Sequence, residues 1–243
     1  MTMSTDLYVA LSGQVALEKR LNTIANNVAN MNTTGFRAEG VKFASILQMA
    51  GDDPVAYASG GETYISRRAG PLIETGNSLD AAIDGDGWFS FQAGDKTVYS
   101  RDGRFHMTEL GELKTVMGYS VLDPGGSPIV VDPTAGPIAI GEDGTISQGG
   151  KRVSQVGLFL IPDGALLERH DNSAVTTKAE AEPAEDMTAN SIRQGYVEGA
   201  NVNPVLEMTR LIEAARAFDN AVAAMQQSDT TSQEAIRTLS PTG

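Results

Sequence analysis

The chain has 243 residues with 18 basic and 31 acidic side chains, a net charge of −13. That length fills one large or two small units, each able to bury a real core. The absence of cysteine excludes disulfide scaffolds, thiol catalysis and Cys-based zinc sites, and the acidity argues against nucleic acid as a main partner.

The first predicted element is a helix from Leu7 to Met31. In steps of seven, the a positions are Leu7, Gln14, Leu21 and Val28, and the d positions are Ala10, Leu17, Ile24 and Met31. All but Gln14 are apolar and no proline interrupts, so the pattern predicts a coiled-coil-like seam about 38 Å long. Gly35 is a natural stop just beyond it. Residues 1–13 show neither a basic start nor an apolar run, so no cleaved signal peptide is expected.

Asn22, Asn26, Asn27, Asn30 and Asn32 crowd the end of this helix. Asn22, Asn26 and Asn30 fall four residues apart, on one stripe off the seam. Asparagine is a poor helix former, while its amide both donates and accepts. The stripe reads either as a second interface to neighbouring subunits or as local structure at a helix end.

Residues 36–70 read as an extended connector and residues 71–196 as a β-rich domain. From about Thr63 to Val197, short strands alternate with Gly-rich turns. Strands are expected at Trp88–Phe91, Thr97–Ser100, Glu112–Thr115, Tyr119–Leu122, Ile129–Val131, Thr145–Ser147 and Val153–Ile161. Ala93-Gly94-Asp95, Asp123-Pro124-Gly125-Gly126, Glu142-Asp143-Gly144 and Gly149-Gly150 supply the turns. This spacing indicates an antiparallel sandwich or barrel-like domain. Ala179–Asp186 reads as a loop.

Asp84-Gly85-Asp86-Gly87 resembles the start of a calcium loop but lacks the rest of it: Trp88 stands at position five and Asp95 at position twelve. No metal site is expected. His106 and His170 lie far apart in sequence and no G-x-S-x-G is present, so a Ser-His-acid triad is not expected.

The last segment, 197–243, reads as a connector strand and a helix. Asn203 and Pro204 suit the cap and first position, and Glu207 suits the first turn. The a positions are Met208, Ala215, Val222, Asp229 and Ile236, and the d positions are Leu211, Phe218, Met225, Ser232 and Leu239. The seam weakens at Asp229 and Ser232, where a kink, fraying or a change of partner is expected. Two seams at opposite ends predict an α+β fold: the N- and C-terminal helices pair as a coiled coil, with a central all-β antiparallel domain. Charge divides along the same lines. Residues 1–70 carry six acids and six bases, 71–196 nineteen and nine, and 197–243 six and three. Either the middle is simply a solvated acidic domain, or the ends are built to pack against protein while the middle faces solvent.

Asn26 to Arg37, NNVANMNTTGFR, resembles the N-terminal signature of bacterial flagellar rod and hook proteins. Asn203 to Phe218, NPVLEMTRLIEAARAF, resembles their C-terminal signature. Gly76 to Ile83, Gly85 to Phe89, Tyr99 to Phe105 and Gly118 to Leu122 are similar to the core segment of those subunits. The resemblance covers most of the chain in colinear order. Ser78 stands where the family commonly has Pro, Trp88 where it has Phe, Ala200 where it has Ser and Phe218 where it has Tyr. Length and compact middle look most like the proximal rod members, with a distal rod or hook-type paralogue as the alternative.

The resemblance implies a structural subunit without catalysis, cofactor, metal or small-molecule substrate. It implies export from the cytoplasm through the flagellar type III apparatus without signal cleavage. It further implies helical polymerisation in the periplasm with copies of itself and other rod subunits, transmitting motor torque to hook and filament. No membrane span is expected. The assembly interface would use Leu7, Leu17, Leu21, Ile24, Asn26, Asn27, Val28 and Asn30 with Asn203, Met208, Leu211, Phe218, Val222 and Met225, and the termini would become ordered on assembly. Family-motif positions are Asn32, Thr33, Gly35, Phe36, Asp80, Gly85, Gly87, Arg101, Asp102, Gly103, Gly118 and Tyr119. Two readings outside the family remain: a secreted β-rich binding module with a helical stalk, and an acid-pair hydrolase using Asp84 or Asp86.

Overall fold

A computed structural model of the protein describes residues 3–50, 53–184 and 189–239. Contacts divide the chain into two units. The first comprises Met1–Ala29, Glu39–Tyr64 and Asn203–Gly243, and the second Asn30–Ala38 and Ile65–Val202.

The first unit is built on two helices, α1 (Met3–Ala29) and α2 (Pro204–Leu239). Asn203 caps α2 as its residue type suggests: its Oδ1 accepts from the Leu206 N–H at 3.1 Å, and its carbonyl accepts from the Glu207 N–H at 2.9 Å. α2 is helical through Asp229 and Ser232, where the seam weakens. The stretch read as an extended connector carries four strands. Ser45–Ala50 pairs antiparallel with Asp53–Ala58, and Glu39–Lys42 pairs with Glu62–Ile65. α1 lies against this ribbon, with the Ser12 Oγ accepting from the Ala58 N–H at 3.2 Å.

The expected coiled-coil pairing of the helices is not what the first unit shows. A coiled coil buries successive a and d knobs. Of the seam residues described, only Ile24 is buried, and Met208 is 45% exposed. Among the described side chains of α2, the buried ones are Glu207 and Ala214, one heptad apart and one position off the seam. The end of α1 meets the start of α2 through a polar contact, Asn27 Nδ2 to Glu207 Oε2 at 3.4 Å. The fold is therefore two terminal helices and a central multi-strand antiparallel β region, without an established coiled coil.

The second unit is antiparallel throughout its registered pairs. Its largest sheet runs Leu167–Arg169, Ala174–Thr177, Lys96–Ser100, Trp88–Ala93, Ser120–Val121, Leu113–Thr115 and Phe105–Met107, with Leu158–Leu160 also on Trp88–Ala93. Trp88–Phe91 is buried at every position because both of its faces are covered. Phe89 and Phe91 face the main core with Phe105, Leu113, Val121, Ile146 and Ile192, their rings 5.4–6.3 Å apart. Trp88 faces a second cluster with Ile65, Ile161, Leu167 and Val175. A three-stranded meander, Ile138–Ile140, Thr145–Gln148 and Lys151–Gln155, completes the core wall.

Two sequence-predicted strands differ. Val153–Ile161 is divided into Lys151–Gln155 and Leu158–Leu160. Between them Gly157 presses on the backbone of Asp123, where a Cβ would come within 2.8 Å of the carbonyl oxygen. Ile129–Val131 makes an isolated bridge, Val130 to Glu112, rather than a strand.

Candidate functional site

Within the first unit, Asn27 is the organising residue. Its Nδ2 donates to the Glu39 carbonyl at 2.8 Å, and its Oδ1 accepts from the Glu39 N–H at 2.8 Å. The amide thereby satisfies both backbone groups of one strand residue, as a paired strand would. Glu207, buried beside it, takes the Arg210 guanidinium at 2.7 Å. Along α1, Val15, Glu18, Lys19, Asn22, Thr23 and Asn26 line an open cleft of about 370 Å³ whose other wall is Glu39 and Thr63. The Lys19 Nζ crosses it to the Gly61 carbonyl at 2.5 Å. Two members of the asparagine stripe thus border a groove rather than a packed face.

Other residues of the expected helix interface spread over several environments. Leu17, Leu21, Val28, Leu211, Phe218, Val222 and Met225 are half-buried, Met208 and Asn203 are exposed, and the Leu7 side chain lies outside the described residues. Asn30 belongs to the turn after α1, its carbonyl and Oδ1 receiving the Thr33 N–H and hydroxyl at 3.0 and 3.2 Å.

The motif positions converge in the second unit. The turn holding Asn32 and Thr33 ends at Gly35, whose φ of +69° favours glycine. A Cβ there would stand 2.3 Å from the Asp102 nitrogen, so the turn sits directly on the Arg101–Asp102 backbone. The Gly35 N–H donates to the Glu198 carbonyl at 2.7 Å. Phe36 is buried beneath the Arg169 guanidinium, 4.6 Å from its ring centre.

Next to Phe36 lies a buried charge cluster. Glu198 pairs with Arg37 at 2.8 Å and with Arg101 at 3.1 Å, and all three side chains are at most 2% exposed. The remaining Glu198 capacity takes the Gly70 N–H at 2.8 Å. Arg37 donates to the Arg68 carbonyl, and Arg101 donates to the Gly85 carbonyl at 2.7 Å. Both guanidiniums cover the Trp88 ring, at 5.6 and 5.5 Å from its centre. One carboxylate serves two cations, and the Nε of each arginine has no partner. Burial lowers the Arg37 pKa to about 10, with Glu198 opposing the shift and Arg101 adding to it. Burial lowers Arg101 as well. Asn201 closes the cluster's edge: its Oδ1 accepts from the Ala38 N–H at 2.6 Å, and its Nδ2 donates to the Arg68 carbonyl at 2.6 Å.

Remaining motif positions join backbone to backbone. The Gly103 carbonyl accepts from the Ala81 N–H at 2.9 Å, and a Cβ on Gly103 would meet the Ala81 oxygen at 1.8 Å. Asp80 bridges to Arg104, which forks onto Asp102 at 2.9 and 2.6 Å. Gly85 sits against Asn190, whose Oδ1 accepts from the Asp86 N–H at 2.8 Å, and Gly87 sits against Leu158. Gly118 closes the turn from Thr115, and Tyr119 lies 6.0 Å ring to ring from His170. Asp84 is ion-paired with Arg193 at 2.6 Å. Among the described residues no three or more Asp, Glu or His side chains gather as metal ligands, and no helix is long and apolar enough to cross a membrane.

Glu198 and Asn201 are the members that sequence reading missed. Their signal was a lone acid and an amide in the short stretch leading to the C-terminal motif, Val197-Glu198-Gly199-Ala200-Asn201.

Comparison with known proteins matches three family models in chain order. Residues 7–37 match "Flagella basal body rod protein", residues 82–148 "Flagellar hook protein FlgE/F/G D1 domain", and residues 193–238 "Flagellar basal body rod FlgEFG protein C-terminal". The flagellar basal-body rod protein FlgF of Mesorhizobium japonicum is 50% identical over 98% of each chain, and that of Rhizobium meliloti 48% over 98% of each. The flagellar basal-body rod protein FlgG of Bacillus subtilis is 31% identical over 96% of this chain and 98% of its own.

Proposed function

The chain belongs to the flagellar basal-body rod protein family and is a structural subunit of the basal-body rod, and we propose that it acts in the proximal rod as a mechanical element that catalyses no reaction. The observation that carries this reading is the 50% identity to a FlgF protein across 98% of both chains. Identity to the FlgG proteins of Bacillus subtilis and Agrobacterium fabrum, at 31% and 35%, is lower, which favours the proximal over the distal position.

In this reading the subunit passes through the flagellar type III export apparatus and polymerises helically in the periplasm with its own copies and other rod subunits. α1 and α2 make the subunit contacts that carry torque, and the second unit forms a rigid body of its own. The buried Arg37–Glu198–Arg101 cluster and the glycines packed on backbone support that rigidity, since each leaves little room for rearrangement. Within the interface, Leu17, Leu21, Val28, Leu211, Phe218, Val222 and Met225 keep part of their apolar surface open for neighbours.

Deleting the gene tests the assignment. Loss of motility and basal bodies that stop short of a complete rod are expected. A motile strain with an intact rod would refute it.

A further inference from the structure

The chain passes between the two units four times, after Ala29, Ala38, Tyr64 and Val202. The second unit is therefore anchored to the rest of the chain at segment 30–38, which has a passage at each end, at Ile65 and at Val202. Inside the second unit these anchors meet on one buried residue, Asn201. Its Oδ1 accepts from the Ala38 N–H at 2.6 Å, while its Nδ2 donates to the Ser66 Oγ at 3.2 Å and to the Arg68 carbonyl at 2.6 Å. Its backbone N–H donates to the Phe36 carbonyl at 3.2 Å, and its carbonyl accepts from the Arg68 guanidinium at 3.3 Å. The Ser66 N–H donates to the Ala38 carbonyl at 2.8 Å, which joins the other two anchors directly. An amide suits this place because one planar group accepts from one segment and donates twice to another. A carboxylate would lose both donations, and an alkyl side chain all three bonds. The backbone around Asn201 leaves no room to slide. A Cβ on Gly70 would stand 1.9 Å from the Gly199 oxygen, and the Gly199 N–H donates to the Pro71 carbonyl at 2.8 Å.

We propose that Asn201 is a mechanical pin: it ties the anchors of the second unit together, so that a pull on any one of them is shared with the others. The unit then resists as one piece instead of being peeled from one end. The order of the contacts supports this. The Gly35 N–H bonds to the Glu198 carbonyl at 2.7 Å, and Phe36 and Ala38 bond to Asn201, so the contacts follow the same order along both segments. Drawing the chain out at Asn30 and at Val202 pulls two such segments in opposite directions. Their contacts are then loaded together and not one after another. The buried pair of Arg37 with Glu198 ties the same two segments. The inference rests on the mechanical reading for the origin of the load, but the pin is a property of the single chain and is tested there.

Single-molecule pulling on the purified full-length protein tests it. The chain has no cysteine, so thiols introduced as N32C and V205C, both at exposed positions, are the only attachment points. Opening of the second unit at constant force releases about 600 Å of chain between these handles. N201A is compared with I146V or I146A, whichever matches its urea midpoint, because Ile146 is fully buried in the main core and touches none of the bonds at Asn201. At the same force N201A is expected to open about tenfold or more faster than the matched core variant, the change that two to three lost bonds produce where the load enters. S66A, which removes one of the three side-chain contacts, is expected to open about two- to fivefold faster than a core variant matched to it. Equal opening rates of N201A and its matched core variant would overturn the proposal. If N201A does not fold, equal rates of S66A and its matched variant overturn it instead. A motile deletion strain with an intact rod would refute the rod reading and leave these rates as they are.

Discussion

Replacing Glu198 with Gln removes the carboxylate that pairs with both Arg37 and Arg101, at 2.8 and 3.1 Å. Glutamine nearly preserves volume and one acceptor oxygen, so little packing is lost and the change is electrostatic. Two guanidiniums that are essentially unexposed then lose their ion-pair partner and keep only the field of the Asp86 carboxylate. Breaking a buried pair by deleting one partner destabilises by about 3–5 kcal/mol. The two pairs share one carboxylate, so their losses do not simply double. Arg37→Met should cost less, because its charge is itself under strain. The folded pKa of about 10 lies below the ordinary 12.5, and the difference corresponds to roughly 3 kcal/mol against the charged form. Removing that charge offsets much of the lost Arg68 bond and ring contact. The pKa is depressed in the fold, so the penalty is full below pH about 10 and is relieved only as pH rises from there toward 12.5. The gap between E198Q and R37M should therefore be constant from pH 5 to 9. Urea unfolding followed by Trp88 fluorescence measures both, since Trp88 is the only tryptophan and its ring packs against both guanidiniums. A loss under about 1 kcal/mol in E198Q, or an R37M variant as damaged as E198Q, would refute the reasoning.

Gly35→Ala combines a φ of +69° with a Cβ 2.3 Å from the Asp102 nitrogen, so it should destabilise the second unit by about 3 kcal/mol or more in the same urea assay. Asn27→Ala leaves the Glu39 N–H and carbonyl without their amide partner and should cost about 1–3 kcal/mol locally, read as faster hydrogen exchange at the Glu39 amide. Asn203→Ala removes the cap on α2 and should lower helix stability by about 1 kcal/mol, with exchange at the Leu206 amide accelerated and the β unit unaffected. Unchanged exchange at either amide would contradict the corresponding contact.

Local patterns carried the elements, and distance in sequence decided what stayed hidden. Both helices follow from uninterrupted apolar periodicity, and α2 starts where Asn203-Pro204 says it should. Strands bounded by Gly-rich turns, such as Trp88–Ala93 with Lys96–Ser100, were legible because the turn fixes the pairing. Ala81–Asp84 pairs with Ser191–Gln194 and Leu72–Glu74 with Tyr196–Glu198 across more than a hundred residues, and no local signal records such partners. Heptad counting failed for a related reason. It finds apolar positions but not which face meets a neighbour, and here a buried acid and amide, Glu207 and Asn27, set the line of contact one position away from the seam. The ribbon between Glu39 and Ile65 was hidden because its strands lack the strict alternation that marks a half-buried strand.

The motifs themselves were legible one by one, but not the contact they jointly describe. Gly35 and Gly103 are glycines because another backbone occupies the place of a Cβ: that of Asp102 for Gly35, that of Ala81 for Gly103. Arg37 and Arg101, from two motifs 64 residues apart in the chain, meet on one carboxylate and one ring. Trp88 gives that pair of cations a broad π face. Each of these residues is consumed in closing the second unit, and a buried side chain cannot also recognise a partner. Surfaces for neighbouring subunits must then be sought outside these interior positions, among residues whose type resists a purely solvated role.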